Sequence, residues 1–478
     1  MPADLDDMFT RLGEQADAVP IGTAATARRR GEQRARTRTM VAAAAAVCLA
    51  GGGAAWLIRP ATEQPDPHPP AATKGSGPLP GVGSPIPYGG RPRFAMTAIS
   101  DGQVFTGWQD EDGTIKVSAA DLHTGRQSWP ARSPGKFSDF GGILAVPRAL
   151  LLSVEHNDGT NPDRTMYIYD PATGEKRWEL PYDVADDLVF QDDVLIHMVA
   201  ATGLTRAFTW ATGEPRWSLV AGADRPIRSL GVHVPGDEDR GGRYGLPIDF
   251  EQDHFVQVTK AGKAQTRSVA NGEVLATATI PAPAGSSGDT LVAYDNWLYD
   301  YELTADGSYR IRASRLDVPG ASAIVYSGPA GHHFGGMAPC GPQRICVLDG
   351  GKSDETVMLT ALDAASRRML WQVEAPESAD TVLSLHGRSL VSGGGETALY
   401  DKDGKQVFHS SAMIGWLDAE NLFSAPLGEA GPATRIAAAD GRATTLGEVP
   451  ALSNFCSWTT ERLVCPTETD LRLWSLTG

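Results

Sequence analysis

Beyond residue 93 the chain alternates short apolar runs with turn residues and carries no sustained helical period. Residues 94–100, 104–108 and 115–119 each alternate apolar and polar positions over strand length, separated by Asp-Gly-rich turns. Groups of this kind recur every 35 to 60 residues to the C-terminus. A period of that size predicts one supersecondary unit repeated, each copy burying a face against its neighbour.

The clearest copies place the same chemistry at the same offsets. Ala120-Asp121-Leu122-His123-Thr124-Gly125 leads to Trp129, Tyr169-Asp170-Pro171-Ala172-Thr173-Gly174 to Trp178, and Trp210-Ala211-Thr212-Gly213 to Trp217. A degenerate copy, residues 361–366, keeps the offset to Trp371 but has Arg367 where glycine stands elsewhere. Glycine supplies a left-handed backbone position, Asp and Thr bind turn amides, and the Trp on the returning strand packs between neighbouring sheets. Weaker copies lie at 268–272, 316–320, 400–404, 438–441 and 471–478, giving nine candidate units. The expectation is an all-β propeller of four-stranded blades spanning 93–478. Eight blades are favoured, one unit being merged, within a range of seven to nine. Because the last unit ends after three strands, its outer strand must come from before Phe94 and close the ring.

This pattern resembles the PQQ-like β-propeller repeat, a family that includes quinoprotein alcohol dehydrogenases and the BamB-type lipoprotein of outer-membrane barrel assembly. The resemblance implies the fold and, on the lipoprotein side, scaffolding; the repeat itself is a packing device common to enzymes and scaffolds. Quinoprotein enzymes of this kind use a vicinal Cys-Cys pair, a calcium site and an Asp base. This chain has no Cys-Cys dipeptide, and neither calcium ligands nor a base can be assigned, so no PQQ or calcium is predicted.

Ahead of the repeats, residues 39–58 contain no charged side chain and are long enough, at about 1.5 Å per residue, to cross a ~30 Å hydrocarbon layer. Eight of these twenty residues are Ala, and Trp56 suits an interfacial anchor. A single transmembrane helix is expected in preference to a cleaved signal peptide, because about forty polar residues precede it. Arg28, Arg29, Arg30, Arg34, Arg36 and Arg38 face only Glu32 before the span, which orients residues 1–38 to the cytoplasm and the body outside. In that tail Leu5, Met8, Phe9 and Leu12 have helical spacing, a candidate for docking a cytosolic partner of residues 4–38. Residues 59–92 are Pro-rich, ten of the thirty-three from 60 to 92, and read as a spacer.

The net charge of −16 lies almost wholly in the body, which disfavours nucleic acid as a partner. Gly 53 and Pro 33 exclude a helical bundle. Cys340 with Cys346 and Cys456 with Cys465 straddle expected hairpins and read as disulfides of an oxidising compartment, their intervals being unlike zinc knuckles. Cys48 is a small residue within the apolar span; it lacks the preceding Leu of a lipid-anchor site. Three further motifs read as polar turns or solvated loops: Gly351-Lys352-Ser353, the acidic loops at Asp110–Asp112 and at Asn157, Asp158 and Asp163, and His332-His333. The functional expectation is a membrane-tethered propeller that binds a protein or cell-envelope ligand in assembly or sensing. An exported sugar or alcohol enzyme and a transmembrane signalling role to a cytosolic regulator stand as alternatives.

Overall fold

The computed structural model describes residues 77–156, 163–233, 253–281, 291–350, 356–452 and 455–477. The N-terminal segment with its six arginines, the apolar residues 39–58, Asn157 and Asp158, and Gly351-Lys352-Ser353 lie outside them. Among the described residues no helix is long and apolar enough to cross a membrane. All regular structure among the described residues is β-strand, in nine antiparallel-built sheets, eight of four strands and one of five.

Eight blades follow in chain order: 92–136, 139–182, 187–219, 226–279, 291–327, 333–374, 379–410 and 413–449. Blade 9 takes three strands from 457–475 and its outer strand from Ile86–Pro87, whose Ile86 sits opposite Leu471. The ring therefore closes as the sequence requires. The favoured number of eight is corrected to nine: each candidate unit owns a complete sheet, so none is merged. The spacer boundary at 92 also moves back, because Leu79, Ile86 and Tyr88 are buried in the seams beside blade 9.

Closure is visible in the packing. Nine apolar clusters each join one pair of neighbouring blades, from Ala98, Phe105 and Leu150 between blades 1 and 2 to Val104, Trp108 and Leu473 between blades 9 and 1. Alternation along each strand sends successive side chains to the two neighbours, so a blade with one apolar and one polar face would leave a seam unfilled. Blade 5 departs from the pattern. Val232 and His233, just after the inner strand of blade 4, cross over and pair parallel with Ala293 and Tyr294 as a fifth, innermost strand.

The four repeat tryptophans lock the seams in one way. Trp129, Trp178, Trp217 and Trp371 donate their indole N–H to the carbonyls of Pro171, Trp210, Val269 and Lys402 in the following blade, at 2.8–3.1 Å. Their rings cover the turn glycine there. A Cβ added at Gly174, Gly213, Gly272 or Gly404 would lie 2.5, 2.5, 3.1 or 2.7 Å from the ring. Those glycines have φ of 69–81°, so absence of a side chain serves both the turn and the stacked indole. Arg367, at the degenerate copy, adopts the same left-handed region with φ 56°. The turn geometry thus persists without glycine.

Candidate recognition site

Strand order gives the ring two faces. The first-to-second and third-to-fourth strand turns of every blade share one, the turn face; the second-to-third turns and blade connections share the other, the connection face.

On the connection face the charged residues nearest the inner strands are spent on one another. Asp186, in the connection to blade 3, accepts the backbone N–H of Ala200 at 2.9 Å and hydrogen-bonds His197 Nε2 at 2.8 Å. Burial lowers the His197 pKa against the pull of that carboxylate. Asp187 pairs with Arg228 of blade 4 at 2.8 Å and accepts the Ser229 N–H at 2.7 Å. Desolvation nevertheless pushes it up to about 6. Gln257 completes this seam by donating to Thr205 and Ser229. These groups staple blades 3 and 4.

His332 finds an acidic partner that its sequence neighbours do not supply. Its Nδ1 lies 3.1 Å from Asp349 Oδ1, and Tyr326 donates to Asp349 Oδ2 at 2.8 Å. Asp349 is fully buried, His332 partly exposed, and Tyr301, Tyr309 and Phe334 pack beside them. Burial pushes the Tyr326 phenol up to about 12. The expected solvated His-His loop is thereby corrected for His332: a strand end 17 residues on lies beneath it and fixes its ring. The Asp110–Asp112 turn binds within itself and its neighbours, Asp110 to Lys116 at 2.7 Å and Asp112 to Lys136 at 2.5 Å.

On the turn face a cavity of about 430 Å³ opens between blades 2 and 3. Arg148, Arg177 and Arg216 line it with Asp170, Asp193 and Trp210. Arg177 donates to Asp170 and to the Arg148 carbonyl, and Arg216 pairs with Asp193. Burial would raise Asp170, but the Arg177 guanidinium and the amides of Thr173 and Ala172 hold it below the ordinary carboxylate range.

The rim of blades 4 to 6 is apolar. Of the ten large hydrophobic side chains exposed among the described residues, seven lie in these blades: Val274, Leu275, Leu303, Val318, Ile324, Met369 and Leu370. Sequence reading missed these residues because each sits in an ordinary strand or turn.

The described cysteines do not form the vicinal pair of quinoprotein enzymes. Cys340–Cys346 and Cys456–Cys465 are disulfides across hairpins, six and nine residues apart, buried in the seams between blades 6 and 7 and blades 8 and 9. Neither lies at a vicinal turn that would stack on a quinone ring. Among the described residues no group of three or more His, Cys, Asp or Glu side chains is placed to hold a metal ion.

Residues 111–295 match the family model described as outer membrane protein assembly factor BamB. No curated protein sequence matches the chain. Among solved structures, the computationally designed Ika8 protein is 14% identical with a TM-score of 0.42, covering 84% of this chain and 100% of its own. BamB from Moraxella catarrhalis is 12% identical with a TM-score of 0.40, covering 70% of this chain and 96% of its own. The chain is a nine-bladed β-propeller whose blades 1 to 4 carry the repeat pattern of the BamB family model.

Proposed function

We propose that this chain is a single-pass membrane protein, its N-terminus cytoplasmic, whose propeller works outside the cytoplasm as a non-catalytic binding or scaffold module in the cell envelope. The observation that carries the reading is the BamB-type model match over 111–295 on a closed ring. On its connection face Asp187 with Arg228 ties blade 3 to blade 4, and Tyr326 with Asp349 ties blade 5 to blade 6, which favours a rigid frame over a reactive centre. Two buried disulfides are consistent with an oxidising compartment. The uncharged residues 39–58 and the arginines before them supply the tether and its direction. The proposed role parallels that of the outer membrane protein assembly factor whose family model matches residues 111–295.

The test is photo-cross-linking in living cells, with a photoreactive residue placed in turn at Val184 and Val220 and at Ala211 beside the cavity. The reading expects discrete envelope-protein adducts from one face and none from the other. Absence of adducts from every position, together with turnover of a sugar or alcohol by the purified full chain supplied with quinone and calcium, would overturn it.

A further inference from the structure

Two hairpin turns of unlike charge stand on either side of the seam between blades 2 and 3. In blade 2, Pro147 and Arg148 join strands Asp139–Val146 and Ala149–Glu155, with Val146 opposite Ala149. In blade 3, Asp192 and Asp193 hold the same place, where the Gln191 N–H bonds the Val194 carbonyl. The outer turns that carry Pro171, Ala172 and Ala211 complete the walls of the cavity of about 430 Å³.

The three arginines of this cavity differ in what they have left to give. Arg177 is committed: its two Nη atoms donate to Asp170 and to the Arg148 carbonyl. Arg216 lies 2.8 Å from Asp193, an ion pair that cancels its charge. Arg148 is the remaining cation. Its guanidinium makes no hydrogen bond among the described residues, and its one ion contact, with Asp192, is 3.9 Å long. Those two side chains are 63% and 54% exposed, and so long and wet a pair contributes little. The backbone beneath is nevertheless held, because the Arg148 carbonyl accepts from Arg177 at 2.6 Å. An open guanidinium fork on a fixed turn therefore borders a cavity with proline and alanine walls.

We propose that this cavity is a binding site for a single carboxylate carried next to an apolar group. A guanidinium matches both oxygens of a carboxylate with parallel hydrogen bonds, stronger than the long contact with Asp192 that they replace. Pro147, Pro171, Ala172 and Ala211 receive the attached apolar group, in a volume typical of sites for small ligands and peptide ends. Charge selects against larger anions. Asp170 and Asp193 stand in the same walls, the chain carries a net −16, and one uncommitted cation balances one negative charge. A peptide C-terminus and a glutamate side chain both present this chemistry. The inference rests on the reading of the propeller as a binding module and names the ligand class for one of its surfaces.

The test is calorimetric titration of the full chain in lipid nanodiscs, with empty nanodiscs subtracted, against two pairs of acetylated peptides. One pair is Ser-Gly-Ser-Leu-Val with a free or an amidated C-terminus; the other is amidated Ser-Leu-Glu-Leu-Ser and its Glu→Gln counterpart. In at least one pair the acid should bind roughly tenfold more tightly than its neutral counterpart, and the pair that does so identifies the source of the carboxylate. Arg148→Gln changes an exposed side chain, so it should fold and lose that preference. Ala211→Trp, which fills the cavity without altering charge, should weaken the acid and neutral peptides alike. Equal affinity within both pairs would overturn the proposal, as would a preference retained by Arg148→Gln or binding indifferent to Ala211→Trp. Failure here alongside envelope-protein adducts from Val184 or Val220 would refute the cavity and leave the binding role standing.

Discussion

Gly174→Ala isolates what the repeat glycine does. The new Cβ would lie 2.5 Å from Trp129 Cδ2, well inside van der Waals contact, at a backbone φ of 70°. Left-handed backbone costs an Ala about 1–2 kcal/mol, and forcing an extra methyl into a packed seam costs about 1–3 kcal/mol more. Trp129→Ala removes a buried ring and its bond to the Pro171 carbonyl, about 3–5 kcal/mol in all. The two effects are not additive. Once the indole is gone the overlap vanishes, and Gly174→Ala should cost about 1–2 kcal/mol, the backbone share alone. Peptide-resolved hydrogen exchange of the full chain, reading strands Thr114–Asp121 and Arg164–Tyr169, measures the local opening free energy without assuming one global transition. An equal cost of Gly174→Ala in the two backgrounds would refute the stacking argument.

Three further outcomes follow from the same geometry. Leu79→Asp or Ile86→Asp should open the ring at blade 9 and speed exchange of Asp470–Ser475, with blades 3 to 6 less affected. Cys456→Ala with Cys465→Ala should destabilise blade 9 by about 2–3 kcal/mol, read as a lower denaturant midpoint whose remaining shift with reductant comes from Cys340–Cys346. Asp300 lies buried in the seam between blades 4 and 5, 3.7 Å from Arg312, and desolvation pushes it up to about 6. Because a raised carboxyl pKa means the folded state holds a proton that the unfolded chain has released, stability should be greatest near pH 4 and fall as pH rises towards 6. Asp300→Asn should reduce that slope, the rest of it coming from Asp187, which is raised in the same direction, while Glu302 keeps Arg312 paired.

Much of this fold was legible because its unit is local. The Thr-Gly turn and the Trp four residues on lie within one hairpin, so their spacing survives in sequence even though the Trp packs on the next blade. Closure by residues before Phe94 followed from a missing strand in the last unit. The two hairpin cystine pairs were readable for the same reason of short separation. The count of nine was less legible because blade 6 makes its turn with Arg367 and blade 9 borrows a strand from across the ring. The parallel strand Val232–His233 left no trace, since two residues carry no period. Of the sites, His332 with Asp349 and Asp187 with Arg228 depend on strand ends brought together by the sheet or by neighbouring blades.

The most direct test of the account is the side of the membrane on which the propeller stands. A single cysteine at Val220, on the connection face, and another at Ala18 in the N-terminal tail can each be challenged in cells or spheroplasts with an intact inner membrane by a membrane-impermeant maleimide. The account predicts labelling at Val220→Cys without lysis and at Ala18→Cys after lysis alone. Protection of Val220→Cys until the membrane is broken would contradict an extracytoplasmic recognition module.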